Sequence, residues 1–162
     1  MSLPQALTTE PGTFWLRRAT LDDVPAVVDL IANDPLGRMR EIRSGDLTPY
    51  VRSFHAIDSD PAHLLVVAVD DADAVVGTMQ LTLIPGLARQ GALRAQIETV
   101  RVREDCRSLG LGRAMMRWAI DESRRRGCAL VQLTSHKKRT YAHRFYARLG
   151  FENSHEGLKL VL

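Results

Sequence analysis

The sequence predicts an α/β fold built around a mixed sheet, and three observations carry that expectation. The spacing of apolar residues switches repeatedly between a strand period and a helical one. Helical stretches alternate with strand-like runs instead of forming one block. The chain is 162 residues long, the size of one compact domain.

Residues 13–18 read as a short strand. Asp22 or Asp23 suits the cap of a helix over 24–32, and Pro25 is tolerated in its first turn. Val24, Val27, Val28 and Ile31 follow the helical period. Residues 33–48 form a polar connection bearing Arg38, Arg40 and Arg43. A second helix covers 49–57, with Tyr50, Val51 and Phe54 on one face. The β-branched run 63–69, a turn at 70–73 and the run 74–84 make a hairpin. A loop at 85–91 leads to a strand over 93–102. The longest helix spans 110–126, striped by Leu111, Met115, Trp118 and Ala119 and ended by Gly127. A strand at 129–134 and a helix at 140–149 follow. Gly150 suits a left-handed cap across which Phe151 packs back. Residues 157–162 are expected to close the sheet as a strand. The order is β-α-α-β-β-β-α-β-α-β, a single domain over 1–162 with residues 1–12 as a flexible extension.

Composition narrows the function. With 45% hydrophobic and 25% charged residues, the chain is not collagen, coiled coil or wholly disordered. Its net charge of +3 hides a division. Residues 1–81 hold 6 Arg and 12 Asp plus Glu, whereas residues 82–162 hold 16 Lys plus Arg and 7 Asp plus Glu. A basic half suggests an anionic partner, either nucleic acid, an acidic membrane or a phosphorylated small molecule. Arg serving only to solvate the surface is the plainer alternative. No stretch approaches the roughly 20 apolar residues of a membrane span. Residues 1–12 lack the apolar core of a signal peptide, so the chain reads as cytoplasmic. Cys106 and Cys128 stand alone and are expected to be reduced. The five histidines show no zinc spacing, and no metal is expected.

The most informative segment is Arg107-Ser108-Leu109-Gly110-Leu111-Gly112-Arg113, between a strand and the longest helix. The first turn of a helix presents unpaired N–H groups and the positive end of its dipole. Glycines let a phosphate approach that backbone, and arginines add charge, which together make a pyrophosphate cradle. A P-loop is excluded because the segment has no Lys, and a dinucleotide fingerprint because its third Gly position holds Met115. An ordinary Gly-rich turn is the alternative. In the strand before it, simple alternation puts Glu98 on the face of Val100 and Val102. A carboxylate among apolar neighbours suits a general base, though a solvated strand Glu would look the same. Farther along, Tyr146 shares the apolar face of its helix and brings a hydroxyl that needs a partner.

Together these segments resemble the GCN5-related N-acetyltransferase (GNAT) superfamily. The family motif R/Q-x-x-G-x-G/A falls on Arg107, Gly110 and Gly112, and the preceding strand on 97–102. The element A-x-x-F-Y-x-x-x-G-F falls on Ala142, Phe145, Tyr146, Gly150 and Phe151. Specific motifs cover 96–152, and the element order extends the likeness to about residues 14–162. Arg139 stands where many members carry a cofactor-contacting Asn. Lys138-Arg139, the Ala142 to Tyr146 run and Ser154-His155 are similar to the aminoalkylphosphonate acetyltransferase branch.

The resemblance implies a mostly antiparallel mixed sheet with helices on both faces, and acetyl-CoA as acyl donor. Amides from Leu109 to Arg113 would hold the pyrophosphate, with Arg107, Ser108 and Arg139 beside it. The backbone of Val100, Arg101 and Val102 would meet the pantetheine arm as a strand meets a peptide. The acceptor would be a primary amine of a small molecule, attacking directly in a ternary complex. At pH 7 only about one lysine-like amine in 10³ is neutral, so Glu98 would take its proton. Tyr146 would give a proton to the departing thiolate. Arg38, Arg40 and Arg43 are candidates for an anionic group of the acceptor. A homodimer is common in such proteins. Two other functions stay open, a non-catalytic acyl-CoA sensor and a nucleic-acid binder using Arg124-Arg125-Arg126 and Lys137-Lys138-Arg139.

Overall fold

The computed structural model describes residues 3–10, 12–33 and 45–161. The chain runs through β1 (Gln5–Thr9), β2 (Gly12–Arg18), α1 (Val24–Ala32), α2 (Thr48–Ser59), β3 (His63–Val69) and β4 (Val75–Ile84). A single-turn α3 (Ala88–Gly91) precedes β5 (Arg94–Val102), α4 (Leu111–Arg125), β6 (Leu130–Leu133) and α5 (Thr140–Ala147). The six strands form one sheet in sequence order. Every neighbouring pair is antiparallel except β5 and β6, which α4 joins as parallel strands. The mostly antiparallel mixed sheet with helices on both faces is therefore as expected.

Strand β3 shows how sequence makes the two layers. Leu64, Val66 and Ala68 point to the core under α4, while Val67 and Val69 point to the core under α1 and α2. A strand covered on both faces reads as a continuous apolar run. On the first face α4 contributes Leu111, Met115, Met116, Trp118 and Ala119, the stripe read from the sequence. It crosses the sheet closely at Gly77, where a Cβ would lie 3.0 Å from Met115 Sδ.

Two expectations fail at the chain ends. Residues 5–9, taken as part of an extension, pair along β2 and bury Leu7. The Pro11-Gly12 turn signal was the clue to that hairpin. Residues 157–161, expected as a closing strand, are unpaired, and Leu158 is 92% exposed. Alternation records a local preference, but a strand also needs a partner. A third expectation is refined at Asp23, which holds the N-cap position of α1 but makes no side-chain bond to its first turn. Its buried carboxylate turns back to accept from Arg17 Nη1 and Nη2 at 2.7 and 3.0 Å, the Thr20 N–H at 2.7 Å and Thr20 Oγ1 at 3.0 Å. These bonds seat the 3-10 turn Leu21–Asp23 that launches α1.

Candidate active site

Strand β5 organises the site through one irregularity. Gln80 opposes Glu98 and Thr78 opposes Arg101, so Met79 alone faces both Thr99 and Val100. This is a β-bulge, with Thr99 at φ 55°. A β-branched residue held there costs of order 1–3 kcal/mol. The bulge reverses the alternation. Ala95 and Ile97 face the α4 core, and Val100 and Val102 rejoin that face after the extra residue. Glu98 lies on the opposite face, beside Gln80, and is exposed. The sequence reading that put Glu98 on one face with Val100 and Val102 is thus corrected, because alternation cannot be counted through a bulge.

The edge of β5 opens at the same place. Its pairing with β6 ends at Ile97 opposite Leu133. Beyond it, the Arg103 N–H bonds the Val76 carbonyl at 2.7 Å, which turns the alternate backbone groups of Val102 and Val100 to the open edge. Two arginines cover their carbonyls. Arg101 Nη1 donates to Val100 O at 2.8 Å, and Arg107 Nε donates to Val102 O at 3.2 Å. An extended, amide-bearing chain fits this edge as a further strand would.

The loop after β5 delivers the helix N-terminus to that edge. Ser108 and Gly110 take positive φ, 65° and 83°, and Gly110 is the N-cap of α4. No side chain caps the helix. The first intrahelical bond runs from the Ala114 N–H to Gly110 O at 3.0 Å, so the N–H groups of Leu111, Gly112 and Arg113 precede the ladder. A 15-residue helix places its positive dipole end at these amides. A Cβ on Gly112 would stand 3.6 Å from Val102 Cγ2 and 3.8 Å from Phe145 Cζ. Loop, strand edge and α5 therefore converge on one point. The residues fit a pyrophosphate at the amides and an extended thioester arm along β5.

Tyr146 belongs to the same convergence. Helix α5 ends with the Phe151 N–H bonding Tyr146 O at 3.1 Å and the Gly150 N–H bonding Ala147 O at 3.0 Å, with Gly150 at φ 90°. This Schellman closure swings Phe151 back over Tyr146. The Tyr146 ring meets Phe145 and Phe151 edge to face at 5.3 and 5.9 Å. Burial pushes the Tyr146 phenol above its ordinary value, with the charges of Arg101 and Arg139 pulling weakly the other way. It therefore keeps its proton at neutral pH. Arg139 is the N-cap of α5 and shares this electrostatic neighbourhood. Arg38, Arg40 and Arg43 lie outside the described residues.

On the opposite face, α1, α2 and β3 to β5 border a half-open cleft of about 150 Å³. Among the described residues, Val24, Val27, Val28 and Ile31 of α1, Tyr50, Phe54 and Ile57 of α2, and Leu65 of β3 line it. Gln80 and the bulge residue Thr99 join them from the strands, next to Glu98. Sequence reasoning missed this cleft and the bulge, since neither a positive φ at Thr nor a gap between two helices has a periodic signature. Elsewhere, the Arg124 to Arg126 run is tied to its own helix. Arg125 and Arg126 each bond Glu122 at 2.6 Å, and Arg124 bonds Asp121 at 2.7 Å. Among the described residues, no helix is long and apolar enough to cross a membrane.

Comparison with known proteins decides the family. Residues 29–151 match the acetyltransferase (GNAT) family. The chain belongs to that family. It is 29% identical to the aminoalkylphosphonate N-acetyltransferase of Salmonella typhimurium over 140 residues, 86% of each chain. A solved structure from Agrobacterium tumefaciens, described as a candidate acetyltransferase, superposes with a TM-score of 0.76 at 27% identity, covering 91% of this chain and 99% of that one. Another, from Bacillus halodurans and described as a transcriptional regulator, superposes with a TM-score of 0.85 at 42% identity, covering 91% and 98%. Membership of the GNAT family makes this chain an N-acetyltransferase.

Proposed function

We propose that this N-acetyltransferase moves an acetyl group from acetyl-CoA to the primary amine of a small molecule, by direct attack within a ternary complex. The observation that carries the reading is the convergence of three features. They are the uncapped α4 amides, the open β5 edge and the Tyr146 phenol, which meet beside one apolar cluster. When bound, acetyl-CoA supplies a thioester whose carbonyl carbon the amine attacks. The N–H groups of Leu111, Gly112 and Arg113 hold the pyrophosphate, with Arg107, Ser108, Leu109 and Gly110 shaping the loop. Each anion–dipole contact of this kind is worth about 0.3–1 kcal/mol, rising to about 2 when partly buried. Val100, Arg101 and Val102 align the arm, and Arg101 and Arg107 release two strand carbonyls as it arrives. Arg139 stands at the head of α5 on the same side.

Proton handling divides between the faces of β5. Glu98, on the α1–α2 face, takes a proton from the incoming ammonium, directly or through one water. The C–N bond forms, the C–S bond breaks, and the sulfur leaves as thiolate. A thiolate whose thiol has an ordinary pKa of about 8.5 is a weaker base than a phenolate at about 10, so Tyr146 assists by hydrogen-bonding the sulfur as charge develops and keeps its own proton. A thiol-release screen with acetyl-CoA tests the reading across amino acids, polyamines, aminophosphonates, aminoglycosides and peptides. Release that depends on one amine class supports it. Tight acetyl-CoA binding without release for any amine would instead favour an acyl-CoA sensor.

A further inference from the structure

We infer that two copies of this chain exchange the segment 157–161, each lending it as a strand to the open edge of the other's β6. Neither copy needs a substrate for this, so the pairing stands apart from acetyl transfer. Both halves of the pairing lie in one chain. Among the described residues, β6 is the last strand of the sheet and bonds only β5. Edge strands are ordinarily blunted by a charge, a proline or a bulge. Leu130, Val131, Gln132 and Leu133 supply neither charge nor proline. Residues 157–161 read Gly-Leu-Lys-Leu-Val and belong to no strand.

The segment starts beside β6 and then leaves it. A Cβ on Gly157 would stand 4.0 Å from Thr134 Cγ2, one residue past the strand. Glu156 pairs with Lys137 at 3.8 Å nearby. Beyond that point Leu158, Leu160 and Val161 are 92%, 86% and 92% exposed. A segment turned back along its own β6 would have covered one of its faces. Its length nevertheless suits that edge, since five extended residues span about 17 Å and four span about 13 Å. A two-fold axis beside Thr134 and Gly157 lets each segment run along the other copy's β6, the self-complementary arrangement of a symmetric dimer.

The core shows what the segment would cover. Val131 and Leu133 of β6, with Phe145, Tyr146, Leu149 and Phe151 around α5, are apolar yet only partly buried. No residue of α5 is fully buried. In an extended segment Leu158 and Leu160 share one face, with Lys159 on the other. The two leucines would close over Val131 and Leu133 as cross-strand neighbours. Exposed area points the same way. A monomer of 18.1 kDa is expected to expose about 8,100 Å², and this chain exposes 10562 Å². A standard interface covers about 800 Å² of each partner, roughly a third of that surplus.

Two measurements test the exchange. Sedimentation equilibrium of the wild-type chain should give twice the 18.1 kDa of one chain. Leu158→Asp with Leu160→Asp sets charges where apolar cover is needed. Lys159→Pro with Leu160→Pro removes two successive N–H groups, one of which faces β6 in any register. Each pair should weaken self-association roughly 100-fold or more and shift the mass toward that of one chain. These residues are exposed in the single chain, and melting curves verify that the variants fold. The second measurement is hydrogen exchange on the wild type, read by mass spectrometry. Amides of 130–133 and 158–161 should be protected together in the dimer, and 158–161 should lose protection on dilution to the single-chain mass. A wild type of single-chain mass, a dimer that both folded variants leave unchanged, or protection of 158–161 that persists at the single-chain mass overturns the exchange.

Discussion

Replacing Tyr146 with Phe removes one oxygen and leaves the ring. The edge-to-face contacts with Phe145 and Phe151 survive, as does the Schellman closure made by backbone alone. The stability cost should stay below about 1 kcal/mol, a melting shift of at most about 4 °C for a chain of this size. What is lost is a hydrogen-bond donor to the departing sulfur. Full general acid catalysis contributes about 10²- to 10⁴-fold. A thiolate of pKa about 8.5 leaves more readily than an alkoxide and takes a hydrogen bond without the proton, so the effect falls below that range, and about a tenfold fall in kcat is expected. Tenfold corresponds to about 1.4 kcal/mol of barrier. Burial holds the Tyr146 phenol above 10, so the donor stays protonated and the deficit should persist from about pH 6 to 9. Acetyl-CoA affinity should change little, because the pyrophosphate amides belong to α4. Steady-state thiol release at saturating amine, with calorimetric acetyl-CoA titration beside it, reads both quantities. Wild-type turnover in Tyr146→Phe would remove Tyr146 as the donor.

Three other substitutions examine the remaining parts. Glu98→Gln should slow transfer most at low pH, where neutral amine is scarcest, and an unchanged pH–rate profile would count against Glu98 as base. Gly110→Asp puts a side chain at φ 83° and a negative charge at the mouth of the α4 amides, so acetyl-CoA should bind at least tenfold more weakly by calorimetry. Unaltered binding would sink the cradle. For Asp23, burial works to raise the carboxyl pKa, but the bonds from Arg17 and Thr20 outweigh it and hold the group below its ordinary 3.8. A lowered folded-state pKa means stability present above the unfolded value and lost as pH falls through the folded one. Asp23→Asn should therefore cost about 1–3 kcal/mol at pH 7 and lessen the loss of melting temperature below about pH 4. Parallel acid limbs for the two proteins would contradict that linkage.

The parts of the fold legible in the sequence are those with a period or a punctuation mark. Helix α1 and strand β3 have the boundaries read from apolar spacing, and Gly150 takes the left-handed backbone its position suggested. The site motifs at 107–113 and 142–151 were legible because helix ends and caps demand particular residues. Strand β1 was not, because only Leu7 among its residues is buried and its pairing depends on a hairpin partner. Residues 157–161 alternate like a strand yet have no neighbour to pair with in this structure. Glu98 was identified, but its face was misassigned, since one extra residue at Thr99 is invisible to a count of two.

That extra residue explains how one strand serves two substrates in the proposed reaction. Without the bulge, Glu98 and Val100 would share a face. Either a carboxylate would sit under α4 among Met115 and Leu111, or Val100 would leave the cluster that contains Tyr146. The bulge avoids both. It keeps Ala95, Ile97, Val100 and Val102 on the apolar side and leaves Glu98 beside Gln80 on the α1–α2 side. Strand β6 parts from β5 at Ile97, just before the bulge, so the edge opens where the faces exchange. The division of charge follows the same line. The basic half of the chain supplies Arg101, Arg107, Arg113 and Arg139 around the edge where a polyphosphate would lie. The acidic half supplies α1, α2 and β3, on the side of β5 where Glu98 would meet a cationic amine. A net charge of +3 thus conceals two sequence halves of opposite net charge, each opposite in sign to the substrate proposed for its side.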